Sequence, residues 1–276
     1  MARAMTTPCL SEETTIAGRA RAVLAAADPA AKAVRARRLR VDFAAGRMAA
    51  LGTAGAPGRP ARPHRPQLLA PRDMPRRRAG RSEAGRVALL HALAHIELNA
   101  VDLAVDMVAR FAPALGDPDF VRDWLDVAAE EATHYDMLAA RLADFGAAYG
   151  DLPAHDGLWE AAEKTADDLL ARLAIVPLVL EARGLDVTPM MIERMERFGD
   201  GETARLLGVI YREEIGHVAT GCKWFERVAT RRGLEPRAAW LDLVNERFKG
   251  ELKPPFNDAA RAAAGLPADW YQATTA

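Results

Sequence analysis

The sequence contains little cysteine: Cys9 and Cys222 are its two, and they form no C-x-x-C pair. This scarcity argues against a disulfide framework and a thiolate zinc site, and it fits a reducing compartment. No run approaches the roughly eighteen apolar residues of a membrane helix, and the N-terminus lacks an uninterrupted apolar segment. The net charge is also small, because 37 Lys and Arg residues nearly balance 38 Asp and Glu residues. We therefore expect a cytoplasmic protein that binds no membrane and has no overall attraction to nucleic acid.

Strand patterns are absent as well, because no segment alternates β-branched and polar residues. Alanine, leucine, arginine and glutamate dominate, and their periodicity is helical almost throughout, which predicts an all-α fold. Half of the residues are apolar, enough for a sizeable core. Thr188 followed by Pro189 predicts a helix start. The predicted helices cover residues 11–26, 29–51, 82–113, 117–146, 158–184, 189–198, 202–232 and 236–249.

Proline and arginine concentrate in one stretch that cannot be helical over most of its length. Eight arginines lie between residues 59 and 81, against one acid. We interpret residues 54–81 as an extended arm that crosses the bundle or a neighbouring subunit and pairs its arginines with carboxylates. The alternative is a docking strip for a phosphate-bearing partner such as RNA, but no aromatic residue is interleaved for base stacking.

The arm separates an N-terminal helical segment, 1–53, from a helical bundle over 82–232. A C-terminal extension, 233–276, follows the bundle, and its proline break, short helix and aromatic residues predict a cover that folds back on it. Whether that cover closes a pocket or forms a dimer contact is left open by the pattern.

Two segments share the spelling E-E-x-x-H, which places Glu131 with His134 and Glu214 with His217. Residues three apart on a helix lie about 60° apart around the axis and roughly 4.5 Å apart along it, so both side chains can reach one metal ion. Both pairs fall on the apolar stripe that should face the core. A single such pair would be weak evidence, because the spacing is frequent in charged surface helices.

Two further acids, Glu97 and Glu181, interrupt apolar stripes without a histidine at ligand spacing. Glu97 precedes Glu131 by 34 residues, and Glu181 precedes Glu214 by 33. The chain therefore reads as two similar helix hairpins, which would bring four carboxylates and two histidines together inside a four-helix bundle. Burying four unpaired carboxylates would be prohibitive, whereas two divalent cations balance their charge. Mixed oxygen and imidazole ligands favour iron, or manganese, over zinc or calcium. A proton-sharing network without metal is the weaker alternative.

These ligand residues, over residues 83 to about 232, resemble the ferritin-like superfamily of dimetal carboxylate proteins. The arm before the first ligand helix makes the chain most similar to a bacterial branch of that superfamily. The resemblance implies that Glu131 and Glu214 bridge the two metals, and that Glu97 and Glu181 are terminal ligands. The same site serves many activities in that superfamily, so the resemblance implies a fold and a metal centre rather than a reaction.

Several charged residues lie next to these ligands in the sequence. Glu130 and Glu213 lie off the inward stripe, and we interpret them as solvated or as partners of Arg183 or Arg212. His95 lies about 160° around the helix from Glu97, which predicts that it points away from it.

Two tyrosines and one proline stand close to the ligands. Tyr135 and Tyr211 are candidates for hydrogen-bonding a ligand or carrying a radical, although core packing is the more common role. Pro177 removes the helical hydrogen bond to Leu173 and predicts a kink before Glu181, which either opens a channel or serves packing.

The long segments outside the bundle favour an enzyme over simple iron storage. We expect an O₂-dependent diiron oxidoreductase, such as a hydroxylase, acting on a small-molecule or tRNA-borne substrate with an external electron donor. The competing hypothesis is a protein without organic substrate, either iron-sequestering or similar to dimanganese catalases. A homodimer is compatible with the sequence. A largely apolar cavity beside the metal ligands would favour the oxygenase.

Overall fold

The structure is a computed structural model, and it describes residues 14–48, 50–75 and 81–272. The predicted all-α fold is confirmed: the described residues contain no strand, only one isolated bridge between Leu68 and Ala154. Predictions that concern Cys9 and the arginines at 76–78 fall outside the described residues. The helices are α1 (Ile16–Leu24), α2 (Pro29–Ala44), α3 (Glu83–Leu115), α4 (Pro118–Asp144), α5 (Gly157–Lys164), α6 (169–197), α7 (Gly201–Arg231), α8 (Pro236–Arg247), α9 (Asp258–Ala263) and α10 (Ala268–Tyr271).

Four long helices, α3, α4, α6 and α7, form the bundle. Helix α3 packs on α4, α6 packs on α7, and α4 contacts α7, so the two hairpins meet through their second helices. Helix α2 lies against the outside of α4. By length and composition α3 would qualify as a membrane span, but 72% of its most apolar window is buried inside the protein. That burial is typical of the core helix of a soluble protein.

The predicted helix start at Thr188 is wrong, because α6 continues through Pro189 to Arg197. A proline inside a helix leaves the carbonyl four residues earlier without its donor. Here that carbonyl belongs to Leu185, and Asn257 Nδ2 donates to it at 3.1 Å. The C-terminal extension thus replaces the hydrogen bond that the proline removes. The break comes earlier instead, between α5 and α6, where the Asp168 side chain accepts from Leu170 N at 3.1 Å.

The other proline of α6, Pro177, lies in a π-helical turn, Val176–Glu181, which ends at a predicted metal ligand. Such turns accommodate an interruption of the helical hydrogen bonds and are frequent at functional sites. Gly221 of α7 faces this turn, because a Cβ added there would lie 2.5 Å from the Cβ of Pro177. Glycine at this position therefore lets α7 approach the widened part of α6.

The arm is tied to the bundle through buried charge on α3. Asp102 is completely buried and binds both Lys32 of α2 and Arg62 of the arm, at 2.5 Å each. Lys32 is itself only 1% exposed. Arg59, which is more exposed, pairs with Asp156 and Glu163. Two of the arm's arginines, Arg59 and Arg62, therefore contact carboxylates outside the arm, as the interpretation of an extended arm expects.

The C-terminal extension packs against α6 and α7. Arg261 of α9 makes two hydrogen bonds to the carboxylate of Asp186, at 2.8 and 2.7 Å. Asn257 N donates to the same carboxylate at 2.9 Å. This extension is therefore anchored on α6, the helix that carries Glu181.

Candidate metal centre

A cluster of acidic and histidine side chains lies inside the bundle, at the level where the four long helices face each other. Glu97 of α3, Glu131 and His134 of α4, and Glu214 of α7 each offer one ligand atom, and these atoms all lie within 4.8 Å of one another. Glu97, Glu131 and His134 are buried. The group is close enough together to hold a metal ion.

The histidine of the first E-E-x-x-H segment turns its Nδ1 atom toward the cluster. His134 Nδ1 lies 3.3 Å from both Glu97 Oε2 and Glu131 Oε2. It lies 3.9 Å from Glu214 Oε1 on the neighbouring hairpin. One imidazole nitrogen therefore has three carboxylates, from three helices, within 4 Å.

The remaining two predicted ligands border the same group. His217 Nδ1 lies 3.0 Å from Glu131 Oε1 and 3.3 Å from Glu214 Oε1. Glu181 makes no hydrogen bond through its Oε2 atom, which is buried, and it shares a cavity wall with Glu97, Glu131 and Glu214. The structure thus brings all six residues predicted from the sequence into one region.

Burial and the neighbouring histidines act in opposite directions on the carboxyl groups of this cluster. Burial alone would raise the pKa of Glu131, but His217 and His134 outweigh it and lower that pKa. Burial prevails at Glu97 and Glu181. It raises the pKa of Glu97 well above its usual range, with a further contribution from Glu131. It also raises the pKa of Glu181 to about 8, reinforced by the charges of Glu214 and Glu131. For His134 burial acts in the opposite direction, but hydrogen bonds to Glu131 and Glu97 outweigh it and raise the pKa to about 11. The raised pKa values mean that these carboxyl groups and histidines tend to keep their protons. A site that retains protons in this way has too little positive charge for its acidic groups.

The donor set fits divalent metal ions. Glu181 Oε2 is a buried acceptor without a donor, and Glu131 Oε1 makes no hydrogen bond although His217 Nδ1 is close. Buried polar atoms are normally hydrogen-bonded, so these two need another partner. Carboxylate oxygens combined with imidazole nitrogens are ligands that iron and manganese accept. Elsewhere on α3 the buried Asp102 and Asp106 are paired with lysine or arginine and need no metal.

Glu130 and Glu213 are partly solvated as expected, with side chains 51% and 43% exposed, but their partners are histidines and not Arg183 or Arg212. His217 Nε2 donates to Glu130 Oε2 at 2.8 Å, and His134 Nε2 donates to Glu213 Oε2 at 2.6 Å. Each E-E-x-x-H segment therefore supplies the carboxylate that orients the histidine of the other segment. The doubled glutamate was the signal for this role, but the sequence does not say which helix each first glutamate faces.

We expect Glu213→Ala to weaken Mn²⁺ binding by about 10–100-fold, the usual cost of removing a carboxylate that orients a metal-bound histidine. The variant removes the acceptor of the His134 Nε2 proton, so the imidazole can rotate and change its protonated nitrogen. Titration of Mn²⁺ against a competing chelator measures the effect. Glu226→Ala, at an exposed position of the same helix, is the matched control. Equal affinities in the two variants would contradict an orienting role.

A cavity of about 280 Å³ lies directly beside the cluster. Glu97, Glu131, Glu181 and Glu214 all contribute to its wall, together with a largely apolar set from α3, α6 and α7. The other lining residues are Ala92, Leu93, His95, Ile96, Ala100, Leu103, Ala154, His155, Leu158, Leu180, Arg183, Gly184, Val187, Thr188, Met191, Leu207 and Ile210. No described residue of the C-terminal extension lines it.

The prediction that His95 points away from the site needs correction, because His95 lines the same cavity as Glu97. The cavity extends around α3 to the segment at 154–158, so residues well apart on the helix reach it. His95 Nε2 donates to the backbone oxygen of His155 at 3.0 Å, which leaves Nδ1 to accept from the Tyr149 hydroxyl at 2.8 Å. Tyr149 was missed because nothing in the sequence pairs it with a histidine 54 residues away.

The two tyrosines named as candidates from the sequence make other contacts. Tyr211 accepts a hydrogen bond from Asn257 Nδ2 at 2.9 Å, which ties α7 to the C-terminal extension. Tyr135 is buried, and its ring meets that of Tyr149 edge to face at 5.6 Å. The hydrogen bond of Tyr211 and the ring contact of Tyr135 are therefore made with residues outside the predicted ligand set.

Comparison of the sequence with known proteins identifies a family and a relative to which the chain is similar. A family model described as "Protein of unknown function (DUF455)" matches residues 25–272. An uncharacterised protein of Haemophilus influenzae is 42% identical over 204 residues, which are 72% of this chain and 70% of that relative. No solved structure matches. The family match includes both E-E-x-x-H segments and the two helices that carry the lone glutamates.

Proposed function

The chain belongs to the DUF455 family, and from its site we propose that it is a ferritin-like dimetal carboxylate oxidoreductase, which uses O₂ to oxidise a small organic substrate. Iron is the metal that this proposal favours, and manganese is the alternative. The reaction also requires an external electron donor.

The cluster supports two metal positions. Glu97, Glu131 and His134 would hold one ion, and Glu181, Glu214 and His217 would hold the other. Glu131 supports a bridging role because its Oε2 lies 3.3 Å from His134 Nδ1 while its Oε1 lies 3.0 Å from His217 Nδ1. Glu214 likewise lies within 4 Å of both histidines. When bound, two such ions would supply electrons and open coordination positions to O₂.

The observation that carries the proposal is the cavity. The cluster's three glutamates and the neighbouring Glu181 form part of a wall that is otherwise mainly apolar, so a substrate inside the cavity would lie next to the metals. Apolar clefts with a few convergent polar groups are typical of small-molecule sites. Iron sequestration needs no apolar space beside the metal, and peroxide disproportionation needs room only for peroxide. The cavity therefore favours oxidation of an organic molecule over both alternatives.

The proposal is tested by loading the protein anaerobically with Fe²⁺, admitting O₂, and following O₂ uptake with an electrode. We expect about two Fe²⁺ bound per chain and O₂ uptake that stops once this iron is oxidised. Glu131→Ala should lower both bound iron and O₂ uptake, because it removes the carboxylate between the two histidines. Added reductant and substrate should restart O₂ uptake in the wild-type protein.

Three outcomes would count against the proposal. Oxidation of iron far beyond two ions per chain would indicate sequestration. Rapid loss of H₂O₂ with Mn²⁺-loaded protein, without O₂ uptake by the iron form, would indicate a catalase-like activity. Bound metal that is unchanged by Glu131→Ala would contradict the metal centre itself. Glu226→Ala serves as the surface control for all three measurements.

A further inference from the structure

Among the described residues, Arg183 is the one arginine or lysine in the wall of the cavity beside the cluster. It stands on α6 two residues after Glu181, and its side chain is 40% exposed. Around it the wall is mainly aliphatic, including Leu180, Val187 and Met191. A single cation in such a wall is a feature that an uncharged substrate would not require.

The Arg183 side chain is held in place by the C-terminal extension through one nitrogen. Its Nη1 donates to the backbone oxygens of Lys253 and Pro255, at 2.7 and 3.2 Å. Within the described part of the chain, its Nε and Nη2 groups donate no hydrogen bond. A guanidinium group that is fixed at one end keeps donors available for a ligand with little loss of side-chain entropy.

The positive charge of Arg183 is only partly neutralised by the carboxylate next to it. Asp186 is its one ion-pair partner in the described part of the chain, and the two are 3.3 Å apart. That carboxylate is already engaged by Arg261 through two shorter hydrogen bonds. The positive charge of Arg183, a residue of the cavity wall, is therefore in excess over the carboxylate beside it, while the glutamate cluster in the same wall would repel a ligand anion placed next to it.

We propose that the substrate of this site is an apolar molecule with one carboxylate group, which Arg183 binds while the apolar body fills the cavity. This assignment rests on the proposed function only in calling the ligand a substrate. A volume of about 280 Å³ is close to the lower limit of small-molecule sites, which favours a short chain or a single ring system over a long lipid.

Two glycines provide a matched pair of variants for testing the cavity. Gly184 lines the cavity, whereas Gly216 lies on an exposed part of α7 outside it. Both are inside helices, and a Cβ added at either would meet nothing within 4 Å. Gly184→Leu should therefore fill the cavity without distorting the helix, and Gly216→Leu should add the same side chain without filling it.

The test compares three eight-carbon probes by calorimetric titration: octanoate, octan-1-ol and octylamine. We expect octanoate to bind about tenfold or more tightly than octan-1-ol, the factor expected for one charge-assisted hydrogen-bonded pair, and octylamine to bind most weakly. Arg183→Met should abolish the preference for octanoate while octan-1-ol still binds, and Arg183→Lys should keep part of it. Gly184→Leu should weaken all binding, and Gly216→Leu should not.

Each titration is run on the full chain after chelator treatment and again after Mn²⁺ loading, because a carboxylate can also bind metal directly. A preference for octanoate that needs Mn²⁺ and survives Arg183→Met would overturn the proposal. Equal binding of octanoate and octan-1-ol by the wild-type protein would overturn it too. Because these measurements follow binding and not turnover, they do not depend on whether the iron form consumes O₂.

Discussion

Glu181→Met is expected to change metal binding and stability in opposite directions. The variant should bind Mn²⁺ at least about 10–100-fold more weakly than the wild-type protein. Removing a carboxylate that only hydrogen-bonds to a metal ligand already lowers metal affinity by that factor, and Glu181 is itself a predicted ligand. After chelator treatment the same variant should be more stable than the wild-type protein, by about 1–3 kcal/mol. The reason is that Glu181 Oε2 is buried without a hydrogen-bond partner, and such an atom costs about that free energy. Methionine has a similar shape without the polar atoms.

Chelator competition and urea unfolding measure the two changes. Glu193→Met, at an exposed position of the same helix, should alter neither by more than about 0.5 kcal/mol. A residue retained for packing would lose stability when replaced. A fall in stability of the chelator-treated Glu181→Met protein, with metal affinity unchanged, would therefore contradict a role in metal binding.

Asp102→Ala is expected to lower the free energy of unfolding by about 3–5 kcal/mol, because it leaves buried charge without a partner. Asp102 is fully buried and holds both Lys32 and Arg62. Burial already lowers the pKa of Lys32, although the Asp102 charge opposes that shift. Without the carboxylate Lys32 must either lose its proton or remain an isolated cation in the core. Urea unfolding of the purified variant gives the change directly.

An exposed ion pair that also joins α2 to the bundle serves as the control. Arg40 of α2 pairs with Asp126 of α4, and their side chains are 48% and 40% exposed. Asp126→Ala should cost only about 0.2–1 kcal/mol. Combining Asp102→Leu with Lys32→Met should recover part of the loss, since an apolar pair avoids the unpaired charge. If Asp102→Ala costs no more than Asp126→Ala, the buried network does not hold α2 and the arm to the bundle.

The sequence predicted the all-α fold and the group of six site residues because both depend on local periodicity. A glutamate on an apolar stripe, such as Glu97, is directed inward by the pitch of its own helix, and four such stripes leave few ways to arrange the carboxylates. The near-equal separations within the two hairpins then indicate that the glutamates lie at one level of the bundle. None of these inferences requires knowledge of which helices are neighbours.

The tertiary structure was needed wherever a side chain chooses a partner on another helix. Glu130 and His217 are 87 residues apart, and Lys32 and Asp102 are 70 apart. No helical periodicity relates residues at such separations, so only packing can bring them together. Pro189 shows the same limit, because the donor that lets α6 continue past it belongs to Asn257 in the C-terminal extension. Helix pitch therefore decides which residues face inward, and packing decides what they meet there.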